Sequence, residues 1–176
     1  MIFGIKELQK SIDQIGLGAK TISIPASSFQ DVEVEDRNGV SIFDEYVAVI
    51  DDDDIISVTR DLFASGFHSE AVEAAFKLLD DQVRSASGIP KSGAGLMEKV
   101  FSPSNPVIAL NAGLTQSELD EQAGYHRIFS GSMLGIRNPC AHELTWISDA
   151  KAALEALILC QHLTKKLKRA MAAKLP

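Results

Sequence analysis

The sequence predicts a mainly α protein, a helical bundle with a small acidic α/β appendage at its N-terminal end. Three observations lead there. Apolar residues recur at three- and four-residue spacing from Asp54 almost to the end of the chain, whereas β-branched alternation is confined to the first fifty residues. Ten acids crowd into residues 31–54, marking that section off by composition. With 176 residues, 45% of them hydrophobic, the chain is long enough to bury one real core. The expected division is residues 1–50 for the appendage and residues 51–176 for the helical domain.

In the appendage, Ile5, Leu8, Ile12 and Ile15 fall on one face of a short helix that Gly16 and Gly18 stop. Pro25 then breaks the chain, and Val32 to Val49 alternates β-branched with polar residues around Asn38-Gly39, a turn signal. This predicts a β-hairpin or two short strands. The run Asp51–Asp54 should open a helix, because carboxylates near a helix N-terminus offset its dipole.

Beyond it, Ile55, Ile56, Thr59, Leu62 and Phe63 form an apolar stripe ended by Gly66. Ser69 is a candidate cap for the next helix, whose buried face should be Val72, Ala75, Phe76, Leu79 and Val83, with Gly88-Ile89-Pro90 as its stop. Gly95 to Phe101 reads as a short helix closed by Pro103 and Pro106. Thr115 and Glu118 match a capping box, and the helix they open runs toward Arg137. On that helix Gly131 and Gly135 follow Gly124 at offsets of seven and eleven, each within about 20° of it. Such a stripe costs about 1 kcal/mol of helix propensity per glycine, and close approach of another helix would offset that. The last helix should run from after Ser148-Asp149 to about Lys174. Its middle, ALEALILCQHL, is apolar nearly all round, as expected of a helix central in the bundle or covered by a second subunit.

Composition excludes several function classes. The two cysteines, Cys140 and Cys160, form no CxxC pair and no histidine cluster accompanies them, so neither a disulfide framework nor a zinc site is expected. The N-terminal stretch has charged residues every few positions and lacks the apolar run of a signal peptide or membrane span. A cytoplasmic protein with no membrane partner is expected. The net charge of −7 argues against nucleic-acid binding only if read as one number: residues 31–54 carry −9, leaving +2 elsewhere. The C-terminal KKLKR, Lys165 to Arg169, has the opposite sign.

The densest chemistry lies in GIRNPCAHE, Gly135 to Glu143. Pro139 has no amide hydrogen and pushes Asn138 away from helical angles, so the incoming helix should end or kink at Arg137–Asn138. Asn138-Pro139 can then cap and open a new turn, with His142 one turn further on. One histidine and one cysteine are too few ligands for a metal. A structural junction is a credible reading, with Arg137 bonding the last carbonyls of its helix and His142 satisfied in the core. The remaining reading is catalysis without a metal or cofactor. A histidine can take the proton of a ribose 2′-hydroxyl or return one to a leaving 5′-oxygen. An arginine fork can hold the charge gathering on phosphate oxygens. Glu73 and Glu143 are carboxylates that could orient the imidazole, and no role is assigned to His126 or Arg127.

The spacing of Arg137, an immediately following polar Asn138, and His142 after four intervening residues resembles the Arg-x(4–6)-His motif of the HEPN superfamily of helical domains. The longer segments GFHSEAVEAAFKLLDDQVR, GAGLMEKVF and ELDEQAGYHRIFSGSMLGIRNPCAHE look like the Ymh-type family of uncharacterised prokaryotic proteins, a HEPN-like group. The resemblance covers about Asp54 to Lys174. It implies a HEPN-like bundle that dimerises so that two motifs face one cleft, with Arg137 and His142 as the catalytic pair and Asn138 as a positioning residue. The implied function is a metal-independent endoribonuclease of phage defence, abortive infection or toxin–antitoxin biology. RNA, a second copy and an antitoxin or other defence protein are the partners it implies. The competing reading is a non-catalytic HEPN-like module that binds a nucleotide or mediates protein interaction.

Overall fold

The computed structural model describes residues 40–143 and 145–173. The helix expected at residues 4–15 and the first part of the expected hairpin, residues 32–39, lie outside them. Among the described residues the protein is mainly helical, with no strand. The second half of the expected hairpin is instead a helix, α1 (Ile42–Val49). A capping box opens it: the Asp44 N–H donates to Ser41 Oγ at 3.2 Å, and the Ser41 N–H returns a bond to Asp44 Oδ2 at 3.1 Å. That closure satisfies free amides that a strand would have needed a partner to pair. Tyr46 then points into the core, stacked on Phe63 at 4.8 Å between centroids, with its hydroxyl 2.8 Å from Thr59 Oγ1. Val47 and Val49, which made the alternation look strand-like, are exposed. Among the described residues α1, expected in the appendage, packs with the helical bundle.

Helix α2 (Asp53–Ala64) opens on Asp52, whose carboxylate accepts the Ile55 N–H, with Asp53 and Asp54 in the first turn as the charge run predicts. It buries Ile55, Thr59 and Phe63 at four-residue spacing, and the chain leaves it through Gly66 at φ 80°. Helix α3 (His68–Ser87) is the hub, packed against α2 and four later elements. Its expected face holds: Val72, Ala75, Phe76, Leu79 and Val83 are all fully buried. Each such side chain contributes about 1.5–3 kcal/mol of burial, less for alanine. Gly88 ends the helix in the left-handed conformation, φ 67°. The expected cap at Ser69 does not form. The helix begins two residues earlier, with Phe67 in the cap position and no side-chain bond there, and Ser69 is buried in the first turn.

Helix α4 (Gly93–Val100) is tied back to α3 by the buried Asp80, which accepts the Gly93 N–H at 2.6 Å. The proline loop after α4 folds over Gln122, whose carboxamide accepts from Leu110 N–H and donates to the Phe101 carbonyl. Helix α5 (Gln116–Ser132) starts on the expected capping box of Thr115 and Glu118 and stacks Phe129 on Phe101 at 4.1 Å. A π-helical turn (Met133–Arg137) and a short helix α6 (Asn138–His142) continue it. Helix α7 (Ala150–Ala173) closes the bundle, burying Leu154, Leu157, Cys160, Leu163 and Leu167, while Ile158 and Met171 stay exposed. No helix among the described residues is long and apolar enough to cross a membrane.

Candidate functional site

The backbone does not break at Asn138. It keeps helical angles, φ −64° and ψ −46°, where a residue before proline normally avoids them. The preceding turn widens instead, and the Asn138 N–H reaches back five residues to the Met133 carbonyl. A π-turn gives the ring of Pro139 room against the turn before it, so the missing amide is absorbed without ending the helix. Asn138 is therefore not a cap, and the expected kink is a local widening.

This turn sets out the three residues singled out from the sequence. Arg137 is half-buried, and its Nη1 donates to Asn138 Oδ1 at 3.2 Å. Its Nε is buried and, among the described residues, has no partner, so the junction role of bonding its own helix's carbonyls is not what its Nε does. His142 is the last residue of α6 and exposed, not a satisfied core residue. The structure joins Arg137 to Asn138, and no hydrogen bond among the described residues joins His142 to either. Five residues of helix turn a side chain by about 140°, which accounts for the divergence of Arg137 and His142 within one copy. Glu73 does not orient His142 but pairs with Lys77 at 2.8 Å.

Cys140 lies between them, buried against α3. Burial pushes its thiol up, and the Glu73 and Glu70 carboxylates add to that push. An upward shift of this kind disfavours the thiolate, the reactive form of cysteine. Cys160 is driven up further by complete burial in α7. Among the described residues no group of three or more His, Cys, Asp and Glu side chains is placed to hold a metal ion.

The glycine stripe behaves differently from the expectation within one copy. Among the described residues a Cβ at Gly124, Gly131 or Gly135 would meet nothing within 4 Å, so no described helix approaches it closely. The reason is orientation: Gly131 is about 160° around α5 from the buried Phe129. Exposed Ile128 and Leu134 flank this outward face.

One polar cluster escaped sequence reasoning. Tyr125 on α5 and His162 on α7 share a 2.6 Å hydrogen bond, and Lys166 lies 5.0 Å from the Tyr125 ring centre while pairing with Glu121. Thirty-seven residues separate Tyr125 from His162, and no local motif marks such a pair.

Compared with known proteins, residues 51–167 match the family described as Protein of unknown function (Hypoth_ymh), and the chain belongs to that family. Neither a curated protein nor a solved structure matches it.

Proposed function

We propose that this member of the Hypoth_Ymh family is a metal-independent endoribonuclease of HEPN type, acting as a homodimer in phage defence or toxin–antitoxin biology. The observation that carries this reading is the arrangement of Arg137, Asn138 and His142 within six consecutive residues of one helical segment. A guanidinium is hydrogen-bonded to a carboxamide, and an accessible imidazole lies five residues on. The imidazole is a group that can take up a proton and give it back. The arginine carries a fixed charge and a fork suited to phosphate oxygens.

In the proposed reaction one His142 removes the 2′-hydroxyl proton and the 2′-oxygen attacks phosphorus. The 5′-oxygen leaves with a proton from a second imidazole, and a 2′,3′-cyclic phosphate remains. General acid–base catalysis of this kind contributes about 10²- to 10⁴-fold, and the charge held by Arg137 adds to it. One chain offers one such histidine at the motif, so the chemistry needs two copies. The open glycine face of α5, with Ile128 and Leu134 beside it, supports a second copy packing there. An antitoxin or other defence protein is the regulatory partner this reading carries.

The test is incubation of the pure protein with mixed RNA in EDTA. Fragments ending in 2′,3′-cyclic phosphate should form and be lost in His142→Ala. Equal cutting by both proteins would remove His142 from the mechanism. The divergence of Arg137 and His142 within one copy favours a second reading, a non-catalytic module that binds a nucleotide or a protein. That reading predicts no cleavage by either protein.

A further inference from the structure

Helix α5 has the residues of a closed start, yet its outer leucine stands in the open. Leu114 just before the Thr115 cap and Leu119 four residues past it occupy the two positions whose apolar side chains usually pack together beside a capping box. Leu114 is 85% exposed, which leaves little of its surface against Leu119, itself 47% exposed. Leu119 turns toward the loop instead: a Cβ at Gly113 would lie 3.8 Å from its Cδ2. With Pro103, Pro106, Ala109 and Ala112 it lines a cavity of about 220 Å³. The two polar side chains in that wall are already engaged. Gln122 bonds Leu110 and Phe101, while Asn111 donates to the Glu118 carbonyl and to Glu121 and accepts the Gly113 N–H. Small-molecule sites run to roughly 300–1,000 Å³ with polar groups free to orient a ligand, so this smaller apolar hollow suits a protein side chain better than a cofactor.

The loop is held in this open form. The Val107 and Ile108 N–H groups both donate to the Val100 carbonyl, and those of Leu114 and Thr115 both donate to the Glu118 carboxylate. A surface fixed in advance loses little freedom on binding. Charge then narrows the occupant. Residues 101–121 contain three acids, Glu118, Asp120 and Glu121, and no base. Lys166 pairs with Glu121, whereas among the described residues Glu118 and Asp120 accept only from uncharged groups. Two carboxylates without a cation beside an apolar hollow disfavour phosphate, and with it RNA or an anionic lipid surface, and favour a cationic protein segment. We propose that residues 102–115 and Leu119 form a docking site for a basic segment of a different protein, one apolar side chain filling the cavity and Lys or Arg lying beside Glu118 and Asp120. From Gln116 to Arg137 the helical rise amounts to roughly 30 Å, so the site stands apart from the Arg137–His142 segment and does not depend on the ribonuclease reading.

The test pans a random-peptide display library against the full chain and maps the selected peptides by amide chemical shifts of the labelled protein. Selected peptides should combine Lys or Arg with a large apolar residue and shift the amides of Gly113, Leu114 and Leu119. Leu114→Ser should weaken their binding about tenfold or more, the loss expected when burial of a leucine is forfeited. Its melting temperature should stay near wild type, because so little of Leu114 is packed in the free chain. Asp120→Asn should mainly flatten the salt dependence of binding, as removal of a rim charge does. An empty selection, acidic peptides, shifts confined to α1 and α2, or undiminished binding to Leu114→Ser would each overturn the proposal. Loop amides that move with protein concentration alone would overturn it by making the loop a contact between copies. Loop shifts on adding phosphatidylcholine vesicles, with no response to peptide, would overturn it by making the loop a lipid contact. None of these outcomes bears on cleavage that depends on His142.

Discussion

The side-chain oxygen of Gln161, deep in α7, accepts the backbone N–H of Asp52 at 3.0 Å across 109 residues of sequence. It also accepts the Asp51 N–H at 2.8 Å, while its own amide donates to the Val49 carbonyl at 2.9 Å. One carboxamide thus satisfies the corner between α1 and α2. Lys168 on the same helix grips the Asp52 carboxylate at 2.8 Å and Asp54 at 2.7 Å. Burial pulls the Lys168 ammonium down, but those hydrogen bonds outweigh it and its pKa rises.

Gln161→Leu keeps the volume and removes all three bonds. The buried Asp52 N–H loses its partner, and leaving such a group unpaired costs about 1–3 kcal/mol. The urea midpoint should fall with an unchanged slope. A midpoint equal to wild type would mean the α1–α2 corner is held by other contacts.

Gly124→Ala and Gly131→Ala test the outward face of α5. Both sites have open space and ordinary helical φ, so each change should stabilise the single chain by about 1 kcal/mol through helix propensity. If a second copy packs on that face, the same methyl groups should weaken the dimer, as read by sedimentation at a series of concentrations. A rise in stability with no change in association would place the dimer contact elsewhere.

Arg137→Lys keeps the positive charge and loses the planar fork. Cleavage should drop by about tenfold or more, since paired donors hold phosphate oxygens better than a point charge. Thermal stability should stay near wild type, because Arg137 is tied by its side chain only to its neighbour Asn138. A large fall in melting temperature would favour a structural role.

The Glu121–Lys166 pair predicts an acid-side pH effect. Bonding to Lys166, and then to Asn111, holds the Glu121 carboxyl below the usual 4.5. The unfolded chain therefore takes up a proton there before the folded one does. The pair's contribution is present above the unfolded value and is lost as pH falls through the lowered folded value. Glu121 is over a third exposed, so solvent screening keeps the contribution below about 1 kcal/mol. The melting-temperature gap between wild type and Lys166→Met should be widest near neutral pH and close below about pH 4. A gap independent of pH would assign the loss to packing over Tyr125.

Much of the bundle was legible because helix signals are local. The stripe Val72 to Val83, the capping box at Thr115 and Glu118, and the stop at Gly88 each depend on residues within a few turns, and all three form as read. The misreading at Ile42–Val49 came from β-branched alternation; the Ser41–Asp44 capping box that opens the helix was not considered. Ser69 was misread because a cap and a buried first-turn serine look alike until the α3 neighbours are known. At Asn138-Pro139 the local preference was read correctly but was overridden by a helix able to widen by one residue.

By itself the sequence determined the helical class and several helix limits, because periodicity and caps are properties of short windows. Only the tertiary structure decided that Gln161 secures the α1–α2 corner and that the glycine face of α5 looks outward. The first is a meeting of residues far apart in the chain, and both were settled by which faces the core left room to bury.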